Sequence, residues 1–534
     1  MKKKLVAFLT VMLCAAMILP LGIAEEYGYQ TNLIGDGSQE LSLMTYQNWD
    51  SAAYYDSADG LLIENVLEEI TGVKINWECI SSDDYDTVAQ TRLAAGMNLA
   101  DIMRVPTNSG ALTKYAEEGL FIDLTPYINE ENTPNIMKRF ENPYLKAIAT
   151  APDGKIYGLP YAEIGTNDIM INWVDIRTDW LENLGLKMPT TLQEYHDVLV
   201  AFKEQDANGN GDPNDEIPLA YQNNQMFGLF CFKGAFGLSY GTDMWTVDEN
   251  GKVQLALVDE RMKDMYTMLH DWYEEGLLYT EADNSGIQDM LAQNRIGGQT
   301  LLALDNVMTN QGIAYDVCPE AKYEYIPLLD NDGYYNGKSV AQEDKELDKR
   351  SNGYWGYFAV TADCKNPELA VRWLDYVWGS QESQDLRYWG IEGVTYDTVD
   401  GEKIFKDNII NSPKGAISEM RALGGWPNFV GFESGEAFLG MFRGNYPQTA
   451  YEEFSPYLRD QVPALLGTEE ENEIYSQYYT DLETYVKEST IGFITGTKSL
   501  DDWDSYVETC NSMGLEQVLT VRQAWWDRYV SFTK

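Results

Sequence analysis

Hydrophobic positions along the chain switch between two rhythms. Leu41-Ser42-Leu43-Met44-Thr45-Tyr46 is a short apolar run that reads as a strand. Leu62, Ile63, Val66, Leu67 and Ile70 follow the spacing of one helix face, and Gly72 stands where a C-cap belongs. Val73, Ile75, Trp77 and Cys79 alternate with Lys74, Asn76 and Glu78, the period of a strand. A second helix is predicted over residues 84–95, ahead of Gly96, and a third strand over 99–105. This β-α-β-α-β series predicts an α/β fold, a parallel sheet with helices on its faces. In such sheets ligands bind beyond the carboxyl ends of the strands, here Tyr46-Gln47-Asn48-Trp49 and Arg104-Val105-Pro106-Thr107-Asn108.

The same reading extends further along. Thr191 and Glu194 form a capping box for a helix whose apolar face is Leu192, Tyr195, Leu199 and Phe202. Tyr354 to Thr361 has strand character, and Asn366-Pro367-Glu368 opens another helix with proline at its first position. Leu369, Ala370, Trp373, Leu374 and Val377 form that helix's stripe, so Trp373 is read as core. Residues 25–38 are polar and predicted to be flexible, and residues 330–350 are predicted to form a long surface loop.

Bulk properties narrow the class. At 534 residues the chain is too long for one ordinary core, and two or more α/β units are expected. A net charge of −47 excludes nucleic acid as a partner, since phosphate binding needs surplus Lys and Arg, and disfavours an anionic membrane surface. Lys2, Lys3 and Lys4, the apolar stretch Leu5 to Leu19 and Leu21-Gly22-Ile23-Ala24 form a three-part export signal, with cleavage expected near Ala24. Its roughly 15 apolar residues fall short of the ~20 needed to span a bilayer. A secreted protein, extracellular, cell-surface or periplasmic in a bacterium, is the expectation. Cys14 follows Met12-Leu13 and makes a poor lipid-attachment site, so the chain is not clearly lipid-anchored. The five remaining cysteines show no CxxC spacing and read as small buried hydrophobes.

The sharpest local motif is Asp206-Ala207-Asn208-Gly209-Asn210-Gly211-Asp212-Pro213-Asn214-Asp215-Glu216. Hard oxygen donors at positions one, three and five, with glycine at six, match the start of an EF-hand-type calcium loop. Position twelve is Ile217, so closure falls to Asp215 and Glu216. Such Asn/Asp/Gly runs also make metal-free turns, and both readings stand. Catalytic arrangements are weak: His196 and His270 lie in predicted helices, and GxSxG, P-loop and Rossmann patterns are missing. Aromatic-plus-amide clusters suit sugars better, because C–H faces stack on rings and hydroxyls need polar partners. Tyr46 to Trp49, Asn352-Gly353-Tyr354-Trp355 and Gly424-Gly425-Trp426-Pro427-Asn428-Phe429 are such clusters, each with core packing as the alternative. Trp426, between glycines and proline, is the least suited to a helix core.

Four blocks in fixed order carry a family resemblance. They are Ala116-Glu117-Glu118-Gly119-Leu120-Phe121-Ile122-Asp123-Leu124-Thr125-Pro126-Tyr127, Gly154-Lys155-Ile156-Tyr157-Gly158-Leu159-Pro160, Arg177-Thr178-Asp179-Trp180-Leu181-Glu182-Asn183-Leu184-Gly185-Leu186-Lys187, and Asn366-Pro367-Glu368 through Tyr388-Trp389-Gly390-Ile391-Glu392-Gly393. From about Leu41 onward the chain resembles extracellular solute-binding protein family 1, in its oligosaccharide-binding, LipO-like branch. The resemblance implies a two-lobed periplasmic-binding-protein-like fold (type II), with ligand held in a cleft between hinged lobes. It puts the signal peptide at 1–24, one lobe at 25–163 plus 304–353 and the other at 164–303 plus 354–534. Hinge crossings follow near Tyr161 to Asp168, near Leu304 and near Gly353 to Gly356. Implied partners are an oligosaccharide and the transmembrane subunits of an ABC permease, with the protein a monomer and not an enzyme. The ligand candidates are Tyr46, Asn48, Trp49, Arg104, Asn108, Asp168, Asn352, Tyr354, Trp355, Trp426 and Asn428. A structural Ca2+ would take donors from Asp206, Asn208, Asn210, Asp212, Asp215 and Glu216. A secreted glycan-active enzyme, or an adhesin or signalling receptor on the same fold, are the alternatives.

Overall fold

The computed structural model describes residues 22–47, 61–106, 110–163, 170–221, 226–238, 244–281, 284–303, 306–315, 317–331, 347–349, 356–412, 415–426, 431–443, 446–455, 458–459, 462–463 and 465–533. The predicted β-α-β-α-β series is present. Gln39–Gln47 pairs in parallel with Val73–Ser81, Leu43 opposite Trp77, and with Ile102–Arg104, Leu43 opposite Ile102. The Leu62–Thr71 helix ends at Gly72 with φ +65°, and Ser82–Ala95 starts on the Ser81 hydroxyl, which accepts from Asp84 N. The left-handed caps let each helix stop abruptly and turn into the next segment.

Two more strands complete this first sheet, whose order is Val73–Ser81, Gln39–Gln47, Ile102–Arg104, Tyr357–Val360, Leu159–Pro160. Tyr357–Val360 is antiparallel to both of its neighbours. A second sheet is organised around Met170–Arg177, which pairs with Thr300–Ala303, Tyr323–Tyr325 and Leu347–Lys349, all antiparallel; Leu458–Arg459 extends it. Leu41, Ile63, Ile70, Ile102, Phe358, Val360 and Trp373 meet in the core around the first sheet. Val174, Ile176, Trp180, Tyr195, Phe202 and Trp272 pack around the second, joined by Tyr475, Phe493, Trp503 and Trp525 from the C-terminal helices.

Strand membership can be set beside the expected lobe boundaries. Residues from 354 onward were expected in the second lobe, but Tyr357–Val360 lies inside the first sheet with all four side chains buried, as an apolar run with neighbours on both edges requires. Thr300–Ala303 and Tyr323–Tyr325, before and after the expected crossing near Leu304, pair with one and the same strand. Among the described residues, Leu159–Pro160 and Tyr357–Val360 belong to the first sheet, and Met170–Arg177, Leu347–Lys349 and Leu458–Arg459 to the second.

The segment expected to be flexible after the export signal is docked. Asn32, Leu33 and Ile34 donate their N–H groups to the carbonyls of Glu69, Ile70 and Thr71 at 3.1, 2.9 and 3.1 Å. Those carbonyls end the Leu62–Thr71 helix and have no partner within it, so the segment supplies donors that the helix lacks. Ala24, at the expected cleavage point, is fully buried, and its N–H donates to Glu69 Oε2 at 2.7 Å. Of the expected surface loop, only Asp330, Asn331 and the Leu347–Lys349 strand fall within the described residues. Among the described residues no helix is long and apolar enough to cross a membrane.

Candidate functional site

Two places gather the candidate side chains that the described residues contain. The first lies at the carboxyl ends of the parallel strands. Arg104 closes its strand, 1 % exposed, with its guanidinium 3.8 Å from the centroid of the Tyr46 ring at the end of the neighbouring strand. The Tyr85 hydroxyl donates to the Arg104 carbonyl at 2.6 Å and fixes the backbone there. Burial pulls the guanidinium's pKa below its ordinary value, opposed by Tyr46, Tyr85, Asp86 and Tyr161. Gly356 beside this cation takes φ +92°, a left-handed conformation that favours glycine.

From Tyr161 the cluster continues across the lobe. Its N–H donates to the Gly356 carbonyl at 2.9 Å, and its hydroxyl meets that of Tyr388 at 3.2 Å. Tyr388 then packs edge-on against Trp426, ring centroids 4.9 Å apart and planes at 85°. The result is a line of side chains from five separate segments: Tyr46, Arg104, Tyr161, Tyr388 and Trp426. Tyr46 and Arg104 were expected here, whereas Tyr85 and Tyr388 carry no local signal, because their roles arise from contacts distant in sequence.

Trp426, a ligand candidate with core packing as the alternative, is packed into the interior. It is 4 % exposed, its indole N–H donates to the Tyr388 carbonyl at 3.0 Å, and its ring also lies against Phe438. The flanking glycines explain the geometry. A Cβ on Gly425 would come within 2.9 Å of the Arg387 carbonyl, and Gly424 takes φ +92°. Trp426 itself sits at φ +48°, uncommon for a bulky residue and held by its hydrogen bonds. Asn48, Trp49, Asn108, Asp168, Asn352, Tyr354, Trp355 and Asn428 lie outside the described residues.

The second place is the Asp/Asn/Gly loop after the Leu192–Glu204 helix. Asn208 and Asn210 donate through Nδ2 to Asp215 Oδ1 and Oδ2 at 3.0 and 2.9 Å. Asp206 Oδ2 accepts from Gly211 N at 2.9 Å, and Glu216 Oε1 accepts from Ala207 N at 2.9 Å. The other oxygen of each acid, Asp206 Oδ1 and Glu216 Oε2, is buried and accepts no hydrogen bond. Two carboxylate oxygens held this way, from opposite ends of one loop, are costly unless a cation balances them. Asp212 instead turns to Asn214, accepting from its N and Nδ2 at 3.2 and 3.0 Å. The loop thus contains carboxylate oxygens and the amide oxygens of Asn208 and Asn210, which accept from Asn210 N and Asp212 N at 2.9 and 2.7 Å; both are donor types that hard cations accept. Among the described residues no three His, Cys, Asp or Glu side chains form a metal cluster on their own.

Neither histidine joins these places. His196 Nε2 meets Glu275 Oε2 at 2.9 Å, and His270 Nδ1 meets the Ile494 carbonyl at 3.0 Å.

Comparison with known proteins gives a consistent neighbourhood. The pattern of the bacterial extracellular solute-binding proteins matches residues 50–382. The fructooligosaccharide ABC transporter substrate-binding protein FusA of Streptococcus pneumoniae is 27 % identical over 501 residues, 88 % of this chain and 87 % of that one. Lipoprotein LipO of Bacillus subtilis is 24 % identical over 342 residues, 63 % of this chain and 64 % of its own. Among solved structures, the alginate-binding protein AlgQ2 without calcium ion superposes with a TM-score of 0.74 at 23 % identity, over 93 % of this chain and 100 % of that one. These neighbours share the two-lobed fold.

Proposed function

The chain belongs to the bacterial extracellular solute-binding proteins, and from that premise we propose that it is the ligand-capturing receptor of an ABC importer, closing two lobes over an oligosaccharide without cleaving it. One observation within the site carries the reading. The parallel strands end in an aromatic ring, Tyr46, backed by a buried cation, Arg104, with tyrosine hydroxyls beside it. Rings of this kind stack on the C–H faces of sugars, and hydroxyls and guanidinium hydrogens match their oxygens. FusA is named for fructooligosaccharides and has been solved with kestose. A net charge of −47 disfavours polyanionic glycans and directs the reading toward neutral ones.

The loop from Asp206 to Glu216 is the seat of a structural Ca2+ on this reading. Asp206, Asn208, Asn210, Asp215 and Glu216 would hold the ion, which would supply positive charge to the two buried carboxylate oxygens that accept no hydrogen bond. A relative has been solved as an EF-hand mutant, which supports the assignment. Residues 1–24 act as the export signal, and the transmembrane subunits of the importer are the partner.

A thermal-shift screen against neutral and acidic oligosaccharides, with and without a calcium chelator, tests both parts, because a ligand that binds only the folded chain raises its melting temperature. A neutral oligosaccharide is expected to raise it and to be recovered intact by chromatography. Recovery of shortened glycan would replace a receptor with an enzyme.

A further inference from the structure

The C-terminal helices belong to the second lobe yet grip the first. Glu469–Thr495 and Leu515–Thr533 bury Tyr475, Leu482, Val486, Val518, Val521 and Trp525 in the second lobe's core. At the start of Glu469–Thr495, however, Asn472 donates through Nδ2 to Thr113 Oγ1 at 2.8 Å, a buried contact with the Ala111–Glu117 helix beside the first sheet. The Thr113 hydroxyl in turn donates to the Gly110 carbonyl at 3.2 Å.

Two glycine backbones close around that amide. A Cβ on Gly110 would lie 2.6 Å from Asn472 Cγ, and one on Gly467 would lie 2.4 Å from Asn472 Oδ1. The turn carrying Asn472 is itself fixed. Thr468 and Glu471 form a capping box, and Glu471 accepts from Trp525 Nε1 at 3.1 Å and from Arg528 Nη2 at 2.7 and 2.9 Å. A short, buried, glycine-walled hydrogen bond cannot slide without losing both its contacts and its partner. It can rotate. When one rigid body turns against another, only points on the axis keep their separation.

We propose that Thr113 and Asn472 form the pivot of lobe closure, a fixed point between the lobes. The proposal rests on the reading of this chain as a closing receptor. Both are positioning residues, acting on ligand only through the angle between the lobes.

The test compares Thr113→Val, Thr113→Ser and Asn472→Ala with the unaltered protein. Small-angle scattering without ligand reads the lobe arrangement, and calorimetry with kestose as probe reads affinity. Thr113→Val and Asn472→Ala are expected to stay folded by circular dichroism, to increase the radius of gyration, and to weaken kestose binding about threefold to tenfold. Thr113→Ser keeps the hydroxyl and is expected to match the unaltered protein on both readouts. A folded Thr113→Val variant with unchanged scattering overturns the pivot, as does Thr113→Ser behaving like Thr113→Val. Should Asn472→Ala fail to fold, the Thr113 pair decides. An unaltered protein that scatters identically with saturating kestose counts against the closing receptor, while the ligand-free comparison still judges the contact.

Discussion

Nη1 of Arg177 donates to Oδ1 of Asn294 at 2.6 Å, and the Asn294 carbonyl accepts from Asn208 Nδ2 at 3.3 Å. One residue thus joins the central strand of the second sheet to the Asp/Asn/Gly loop. Asn294 holds φ +58°, and next to it Arg295 donates through Nε to the Asp215 carbonyl at 2.8 Å. The loop is therefore anchored to the sheet from outside as well as closed on itself.

Calcium should act through this loop on stability. At free calcium a hundredfold above its dissociation constant, an ion bound only by the folded chain adds about 2.7 kcal/mol. Melting temperature should rise with calcium and fall with chelator. Asp206→Asn and Glu216→Gln should each shrink that difference, while Asp212→Asn, whose carboxylate turns to Asn214, should leave most of it. Equal chelator sensitivity in all three variants would remove the ion from this loop.

Arg177 should be among the least replaceable residues. Its Nε and Nη2 donate to Asp179 Oδ1 and Oδ2 at 2.7 and 2.6 Å, and its side chain is fully buried. Arg177→Met strands those acceptors, with an expected loss of about 3 to 5 kcal/mol. Arg177→Lys restores charge without the planar fork and should recover only part of it. Urea denaturation midpoints measure both.

Asp175 gives the second sheet a pH dependence. Its carboxyl is fully buried, accepts from Gln299 N at 2.7 Å and Asn310 Nδ2 at 2.9 Å, and is pushed up to about 7 by burial. An unfolded aspartate titrates near ~3.9. Between those values the folded chain keeps a proton that the unfolded chain has released, so stability from this group is highest below about pH 4 and declines as pH rises toward 7. Glu64 and Asp375, also pushed up by burial, act in the same sense. Asp175→Asn should flatten the decline between pH 4 and 7 in urea titrations, and an unchanged slope would assign it elsewhere.

The two aromatic candidates should part ways. Tyr46→Ala removes a partly exposed ring stacked on Arg104 and should weaken oligosaccharide binding by ~1 kcal/mol or more with little change in melting temperature. Trp426→Ala empties a buried site and should cost about 3 to 5 kcal/mol of stability. Trp426→Phe, which keeps a ring but loses the bond to the Tyr388 carbonyl, should cost nearer ~1 kcal/mol. Calorimetry paired with denaturation separates binding from folding. Equal binding losses with equal stability in the Tyr46 and Trp426 variants would contradict the assignment.

These contrasts mark what sequence pattern can and cannot carry. Period and caps set out Gln39–Gln47, Leu62–Thr71 and Val73–Ser81, because each depends on neighbours within a few residues. The sheet that takes Tyr357–Val360 does not follow from its own residues, since any buried apolar strand fits either core. Trp426 was read as unsuited to a helix core because glycine and proline flank it, and those glycines admit it to the interior outside a helix. The spacing of Asp206, Asn208 and Asn210 read as the start of a calcium loop, while the turning of Asp212 to Asn214 depends on a contact within the loop. The docking of residues 32–34 was hidden because only main-chain donors are used.

One core holding both Val174 and Trp525 also sets an order of assembly. During synthesis the second lobe waits for Trp525 to emerge, and the first sheet waits for Tyr357–Val360. Neither lobe can be cut out as a continuous stretch and expected to fold alone. A premature stop before residue 469 leaves the exposed apolar floor of an unfinished lobe, so such fragments should aggregate or be degraded rather than persist as a half receptor.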